Sequence, residues 1–193
     1  MPRKSMAEER REEILAAFAR CIAKYGIEVS LEQIAQEAGV RRSLIRHYLG
    51  NRDELVDQVI ERIAEGYPQR IAELLAPTTE HGIDHLLDVF FRDGYIHSEW
   101  DEVIGAVFST AQGRYPQAKA RVAHMIVAIV EQTAAFLSQL YPRASIEACY
   151  EVAYGIICLS QSNESLIWLG IDPMHATLAR AAAKHLLNRL AAP

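Results

Sequence analysis

Apolar side chains recur along this chain at intervals of three and four residues, and no useful stretch alternates in the two-residue period of a half-buried strand. Ile14, Leu15, Phe18, Ile22 and Tyr25 predict a core-facing stripe on a first helix over Met6 to Tyr25, stopped by Gly26. Glu8, Glu9, Glu12 and Glu13 sit near its positive end, where carboxylates are favoured. Ile34, Ala35 and Ala38 mark a short second helix, and Leu44, Ile45 and Tyr48 the inner face of a third. Leu55, Val59, Ile60 and Ile63 open a fourth that should reach about Leu75, with Pro77 beyond it. Gly66-Tyr67-Pro68 inside that run predicts a kink or break, because proline removes one hydrogen bond and clashes with the preceding turn. Ile83, Leu86, Leu87, Phe90, Phe91, Gly94 and Tyr95 form the next stripe. Ser98 and Asp101 then suit the start of a helix carrying Trp100, Val103, Ile104, Val107 and Phe108. Pro116 opens a long helix to about Leu140. Another spans roughly Ser145 to Leu169 and closes at Gly170, and the last starts from Asp172 as cap with Pro173 behind it and ends near Leu190. With no internal repeat or low-complexity tract, the expected fold class is all-α, with about nine helices.

The stretch Val29–Arg52 carries the most local information. Ser30 is placed to cap the second helix, and Gln33 three residues later completes a reciprocal capping box. Gly39 supplies the left-handed turn that ends this helix, and Val40 is expected to plug the angle that follows. Asn51 and Glu54 repeat the box at the start of the fourth helix. Between the two boxes lies a helix whose outer positions are Arg41, Arg42 and Arg46. Two short helices meeting at a glycine turn, the second basic outside, form the pattern of a DNA-reading helix-turn-helix.

Charge strengthens this reading once it is divided along the chain. The whole sequence has a net charge of −5, but residues 1–52 hold ten Lys/Arg against seven Asp/Glu, and residues 53–193 ten against eighteen. Phosphate attraction is local, screened within about 8 Å at physiological salt, so a basic end on an acidic body still suits a DNA binder. Arg3, Lys4, Arg10 and Arg11 extend the basic end. At 193 residues, half of them hydrophobic, the chain has enough material for a substantial core. No run of 18 or more apolar residues occurs, which argues against a membrane span, and the N-terminus lacks the apolar region of a signal peptide. Three cysteines without a CxxC pair suit buried thiols in a reducing cytosol, so a cytoplasmic location is expected.

The segments Ser30-x-x-x-Ile34-Ala35-x-x-Ala38-Gly39-Val40 and His47-Tyr48-Leu49-x-x-Arg52-x-x-Leu55 resemble the N-terminal domain of TetR/AcrR-type transcriptional repressors, over roughly residues 10–60. The Leu44-Ile45-x-His47-Tyr48 form and the late Ile167-Trp168-Leu169 segment are closer to the BetI-like branch. The resemblance implies a helix-turn-helix DNA-binding domain over 1–52. It implies a helical effector-binding and dimerisation domain over 53–193, with 53–76 as connector helix. The chain departs from the family pattern at Arg41, where serine often caps the recognition helix, and at Ser43, Arg46 and Leu49, where glycine, an aromatic and phenylalanine are usual. Arginine at 41 forfeits a cap worth about 1 kcal/mol and is expected to touch a phosphate instead. Arg42, Ser43 and Arg46 are the candidates for base edges in the major groove, since arginine binds guanine O6 and N7 with two hydrogen bonds. His47, Tyr48 and Arg52 match positions that hold phosphates in the family, and Ser30 is expected to cap and also to approach a phosphate.

The same resemblance implies a homodimer on a palindromic operator, with two recognition helices about 34 Å apart. Helices 145–169 and 173–190 would supply the dimer elements, with Val152, Ile156, Leu159, Leu166, Ile167, Leu178, Ala182 and Leu186 as candidate surface. An effector cavity in the C-terminal part is expected to be mostly apolar with a few polar groups. Phe91, Tyr95, Trp100, Phe108, Gln112, Tyr154, Cys158 and Gln161 are its candidate lining. Tyr154, Cys158 and Gln161 share one helix face at i, i+4 and i+7. The resemblance implies a small-molecule effector. No cofactor, metal site or catalytic residue is expected. His81 and His85 lack a third ligand at suitable spacing, His124 reads as a core histidine and Cys158 as a buried thiol. No GxGxxG, P-loop, GxSxG or HExxH motif occurs. Two other readings remain open: an all-helical small-molecule binder or enzyme that only keeps this shape, and a nonspecific architectural DNA binder, against which the single compact basic helix argues.

Overall fold

The computed structural model describes residues 6–76, 82–91, 103, 115–172 and 174–191, which form eight helices and no strand among the described residues. They are α1 (Met6–Tyr25), α2 (Leu31–Glu37), α3 (Arg42–Leu49), α4 (Arg52–Leu75), α5 (Gly82–Phe91), α6 (Pro116–Leu140), α7 (Ile146–Trp168) and α8 (Met174–Ala191). The all-α expectation holds, and the helix count is close to nine. Tyr95, Trp100, Phe108 and Gln112 lie outside the described residues, as do the cap at Ser98, Pro77, Pro173, His81, Arg3 and Lys4.

The described chain separates into two compact units. The first contains 6–65, Val103 and 115–124. Its core is built from Ile14, Leu15, Phe18 and Ile22 of α1, Ile34 and Ala35 of α2, Ile45 and Leu49 of α3, and Leu55, Val59 and Ile60 of α4, all buried. In this unit α1 packs on α2 and α3, and α2 packs on α3. The second unit contains 66–76, 82–91, 125–172 and 174–191. There α8 packs against α7 and α5, and Leu86, Leu87, Leu137, Ile156 and Leu187 are fully buried. Ser160 of α7 is buried too, and its hydroxyl donates to the Phe90 carbonyl at 2.9 Å, so its polar atom is satisfied. By length and composition alone Gln117–Leu140 is apolar enough to cross a membrane. In the structure its Met125, Ile129, Val130, Ala134 and Leu137 are core residues.

Four expectations need correction. α4 runs through Gly66 and Pro68 as one helix, so the break, one of the two outcomes predicted there, does not occur. The boundary between the units nevertheless falls at Glu65/Gly66, inside this helix. Tyr25, at the last turn of α1, is 52% exposed with the Lys24 ammonium 5.0 Å from its ring centre. His124 is exposed, because Val122, Met125 and Ile129 define the inward face of α6 and leave His124 and Val127 outside. Cys158 is exposed, whereas Cys21 and Cys149 are buried, and burial raises the pKa of both buried thiols.

Candidate nucleic-acid interface

The geometry of α3 is set at both ends by its neighbours. Upstream, Ser30 caps α2: its Oγ accepts from the Gln33 amide at 3.2 Å, and Gln33 Oε1 accepts from the Ser30 amide at 3.0 Å. α2 ends in a Schellman turn, with Val40 N–H bonded to the Ala35 carbonyl at 3.0 Å and Gly39 N–H to that of Gln36 at 3.2 Å. Gly39 has φ 62°, and nothing lies within 4 Å of where a Cβ would stand, so backbone conformation rather than space demands glycine. Half-buried Val40 occupies the position whose apolar contact usually accompanies this turn.

α3 begins at Arg41, which has an extended backbone and makes no side-chain cap. Its last turn carries Arg46 and His47, where the helix dipole favours positive charge. Gly50 ends it at φ 80°, and its N–H donates to the Arg46 carbonyl at 3.1 Å. The next capping box closes at once: Asn51 N–H donates to Glu54 Oε2 at 2.7 Å, and Glu54 N–H to Asn51 Oδ1 at 3.0 Å.

Ile45 and Leu49, one turn apart, face the core, and Arg41, Arg42, Ser43, Arg46 and His47 are all exposed. Leu44 is 36% exposed and Tyr48 half-buried, so the inner face is Ile45–Leu49 rather than Leu44, Ile45 and Tyr48. On an eight-residue helix a rotation of one position exchanges inside for outside, and two buried positions suffice to anchor it. The Tyr48 and His47 rings meet edge to face, centroids 5.0 Å apart. Arg42 Nη1 lies 3.6 Å from Glu32 Oε2 with both side chains largely exposed, a pairing weak enough to yield to a phosphate or a base.

Arg52 has a task that sequence reasoning missed. Its guanidinium donates to the Val29 carbonyl at 2.5 Å and to the Ile27 carbonyl, across the loop between α1 and α2. This fastens the loop that precedes the helix-turn-helix to the first turn of α4. Gln58 was missed as well: its Nε2 donates to the Leu49 carbonyl at 3.0 Å, and its Oε1 accepts from Arg11 Nη2 at 2.5 Å. No local spacing signals either contact, because the partners are distant in sequence. Arg10, part of the basic N-terminal end, is paired with Glu13 at 2.6 Å.

Of the eight candidate effector residues, Phe91, Tyr154, Cys158 and Gln161 are described. Phe91 is buried at the end of α5, and Gln161 is half-buried on α7. Tyr154 and Cys158 stand on the exposed face of α7, and a hydrogen bond with the Cys158 thiol raises the Tyr154 pKa. Val152, Ala153, Ile156, Ile157 and Ser160 take the inward positions, so the mixed stripe read as pocket lining turns outward instead. The same inward set removes Val152 and Ile156 from the candidate dimer surface. In their place Ile146, Tyr150 and Tyr154 form an exposed apolar ridge at four-residue spacing, and Leu166 of α7 and Met174 and Leu178 of α8 are exposed as well. Among the described residues of the second unit, Thr133, Ser160 and Asn163 are buried polar side chains. Gln132 Oε1 is buried with no hydrogen-bond partner among the described residues.

Residues 14–59 match the family described as bacterial regulatory proteins, tetR family. The HTH-type transcriptional regulator BetI of Brucella anthropi is 42% identical over 57 residues, 29% of this chain and 29% of that protein. The HTH-type transcriptional regulator PksA of Bacillus subtilis is 35% identical over 75 residues, 38% of this chain and 37% of that protein. The chain therefore spans about a third of the length of the curated relatives it matches. Among solved structures, a TetR transcription regulator from Haloarcula marismortui superposes with a TM-score of 0.76 at 15% identity, covering 94% of this chain and 98% of that one. That likeness concerns the fold.

Proposed function

We propose that this chain, whose residues 14–59 match the tetR family of bacterial regulatory proteins, is a ligand-responsive transcriptional regulator that binds a palindromic operator as a homodimer. The observation that carries the proposal is the outer face of α3. Five consecutive-turn positions, Arg41, Arg42, Ser43, Arg46 and His47, are exposed on a helix fixed by capping boxes on either side. In this reading Arg42, Ser43 and Arg46 meet base edges, while Arg41, His47 and Tyr48 hold phosphates. Ser30 keeps its cap and stands next to the backbone. Arg52 acts one step back, holding the α1–α2 loop in place.

One such domain makes a modest interface. Two would reach successive major grooves if the exposed ridge of α7 and the Met174–Leu178 edge of α8 meet their counterparts on a second copy. A small-molecule effector would bind in the second unit, with Phe91 and Gln161 still candidates for its lining. It acts by preferring one arrangement of the dimer, since equal affinity for both arrangements shifts nothing. The acidic remainder keeps phosphate attraction on one face, which favours this reading over an architectural binder. A location in the cytoplasm follows from the operator as partner.

The test is selection of random-sequence duplexes by the purified protein, followed by affinity measurements across salt concentrations. The expected result is an inverted repeat whose half-sites lie about one or more helical turns apart, bound with a steep salt dependence. Salt-dependent binding without sequence preference would favour the architectural reading. Absence of duplex binding would favour a helical small-molecule binder.

A further inference from the structure

α4 is gripped along a single turn from three directions. On the Gln58–Arg62 ridge, Arg11 and Glu12 of α1 reach Gln58 and Arg62. At the same place the Gln58 amide holds the carbonyl of Leu49, the last residue of α3. On the adjacent Asp57–Glu61 ridge the partner is Arg121 of α6. Its Nη1 donates to the Asp57 carbonyl at 2.9 Å and lies 3.9 Å from the Asp57 carboxylate, and its Nη2 donates to Glu61 at 3.4 Å. Arg121 and Asp57 are only 32% and 30% exposed, so this contact is better shielded than the Arg42–Glu32 pair at 54% and 76%. A guanidinium fork that grips both a main-chain carbonyl and two carboxylates fixes position as well as charge.

α6 continues from Arg121 past His124 into the helix that supplies Met125, Ile129 and Leu137 to the second unit. We infer that Arg121 is a positioning residue: it straps α6 to the turn of α4 whose next residue, Gln58, holds the C-terminal end of the recognition helix, so that α6 sets the aim of α3 on DNA. The inference rests on the proposal that α3 reads DNA. Two links of the chain are direct contacts, Arg121 to Asp57 and Gln58 to Leu49, and the third is the rigidity of one helical turn. The strap therefore acts through Gln58, and removing either residue should break the same connection.

The test uses the full-length protein with Arg121→Gln, Gln58→Ala and the double variant, and a duplex selected by the unmodified protein. Either single substitution should lower affinity for that duplex roughly 2- to 30-fold, the range found for residues that couple sites without touching ligand. The double variant should lose no more than the weaker-binding single variant, while the thermal destabilisation of the two substitutions adds. Arg121→Lys should recover only part of the affinity, because a point charge cannot span the Asp57 carbonyl and Glu61 together. Independently of DNA, Arg121→Gln should speed amide hydrogen exchange at Leu49, Gly50 and 57–62 and leave Ile14–Ile22 of α1 unchanged. Additive losses of affinity would overturn the strap, as would unaltered exchange at Leu49 and Gly50. If the unmodified protein selects no duplex, the DNA-reading proposal fails by itself, and the exchange experiment still decides whether Arg121 holds the end of α3.

Discussion

Arg52 separates a fold-holding arginine from a phosphate-holding one, and Arg52→Met is the perturbation that tells them apart. Methionine keeps most of the apolar stem and removes the donors. The lost contacts are the hydrogen bonds from the two terminal nitrogens to the Ile27 and Val29 carbonyls; the Nε is buried with no acceptor among the described residues. A hydrogen bond from a charged group contributes about 1.5–3 kcal/mol. Here the Arg52 side chain is only part-buried, so solvent partly screens its charge. That discount leaves about 2–3 kcal/mol for the pair. In a chain of this size such a loss lowers Tm by about 4–12 °C, measurable by circular dichroism or calorimetry. The partner measurement is the slope of log K against log salt for a selected duplex. A lost phosphate contact would reduce that slope by about 0.9, whereas loss of a loop fastener leaves it unchanged. A variant with the unmodified Tm and a slope reduced by about 0.9 would refute the structural assignment and restore Arg52 to the phosphate set.

Ser30→Ala should cost about 1 kcal/mol by removing the α2 cap, read as a lower midpoint in urea. Ser30→Asp should recover that stability but not DNA affinity, because a carboxylate caps well and repels a nearby phosphate. Arg46→Ala should weaken binding to the selected site by roughly 5- to 150-fold, the equivalent of one bidentate base contact, with random-sequence duplex affected far less. A footprint unchanged in sequence preference would remove Arg46 from the base-reading set. Leu178→Glu, on an exposed edge of α8, should shift sedimentation at micromolar concentration from dimer to monomer without loss of helix signal. Maleimide should label Cys158 faster as the protein is diluted and the proposed interface opens, while Cys21 and Cys149 resist, being buried with raised pKa. Labelling of Cys158 that is independent of concentration would argue against an interface on α7.

Much of this fold is legible because local rules and tertiary packing agree. The bounds of α1, α4 and α6 follow from stripe, cap and stop residues, and both capping boxes are present in the atoms. What the sequence hides is facing and partnership. Leu44 and Tyr154 are apolar side chains at spacings that suit a core, and each is exposed because its neighbour on the next position, Ile45 or Ala153, faces inward instead. Periodicity defines a helical stripe to within about one residue position, and on a short helix or a nearly all-apolar one that margin decides which face is buried. His124 fails for the same reason. Arg52 illustrates the other limit: a side chain that bonds residues more than twenty positions away cannot announce its partner through spacing.

These two limits converge on α4. An isolated helix as short as α3 is not stable in water, and Arg41 gives it no side-chain cap. Its position must come from outside, through the Schellman turn at Gly39, the burial of Ile45 and Leu49, and the Gln58 bond to its last residue. The absent cap at Arg41 then has a physical sense. A serine there would spend its hydroxyl on the helix, whereas arginine leaves the first turn dependent on its neighbours and presents a cation to the solvent side. A recognition helix with little stability of its own takes its orientation from whatever grips it, and the grip is concentrated on one turn of α4, where α1, α3 and α6 all make side-chain contacts.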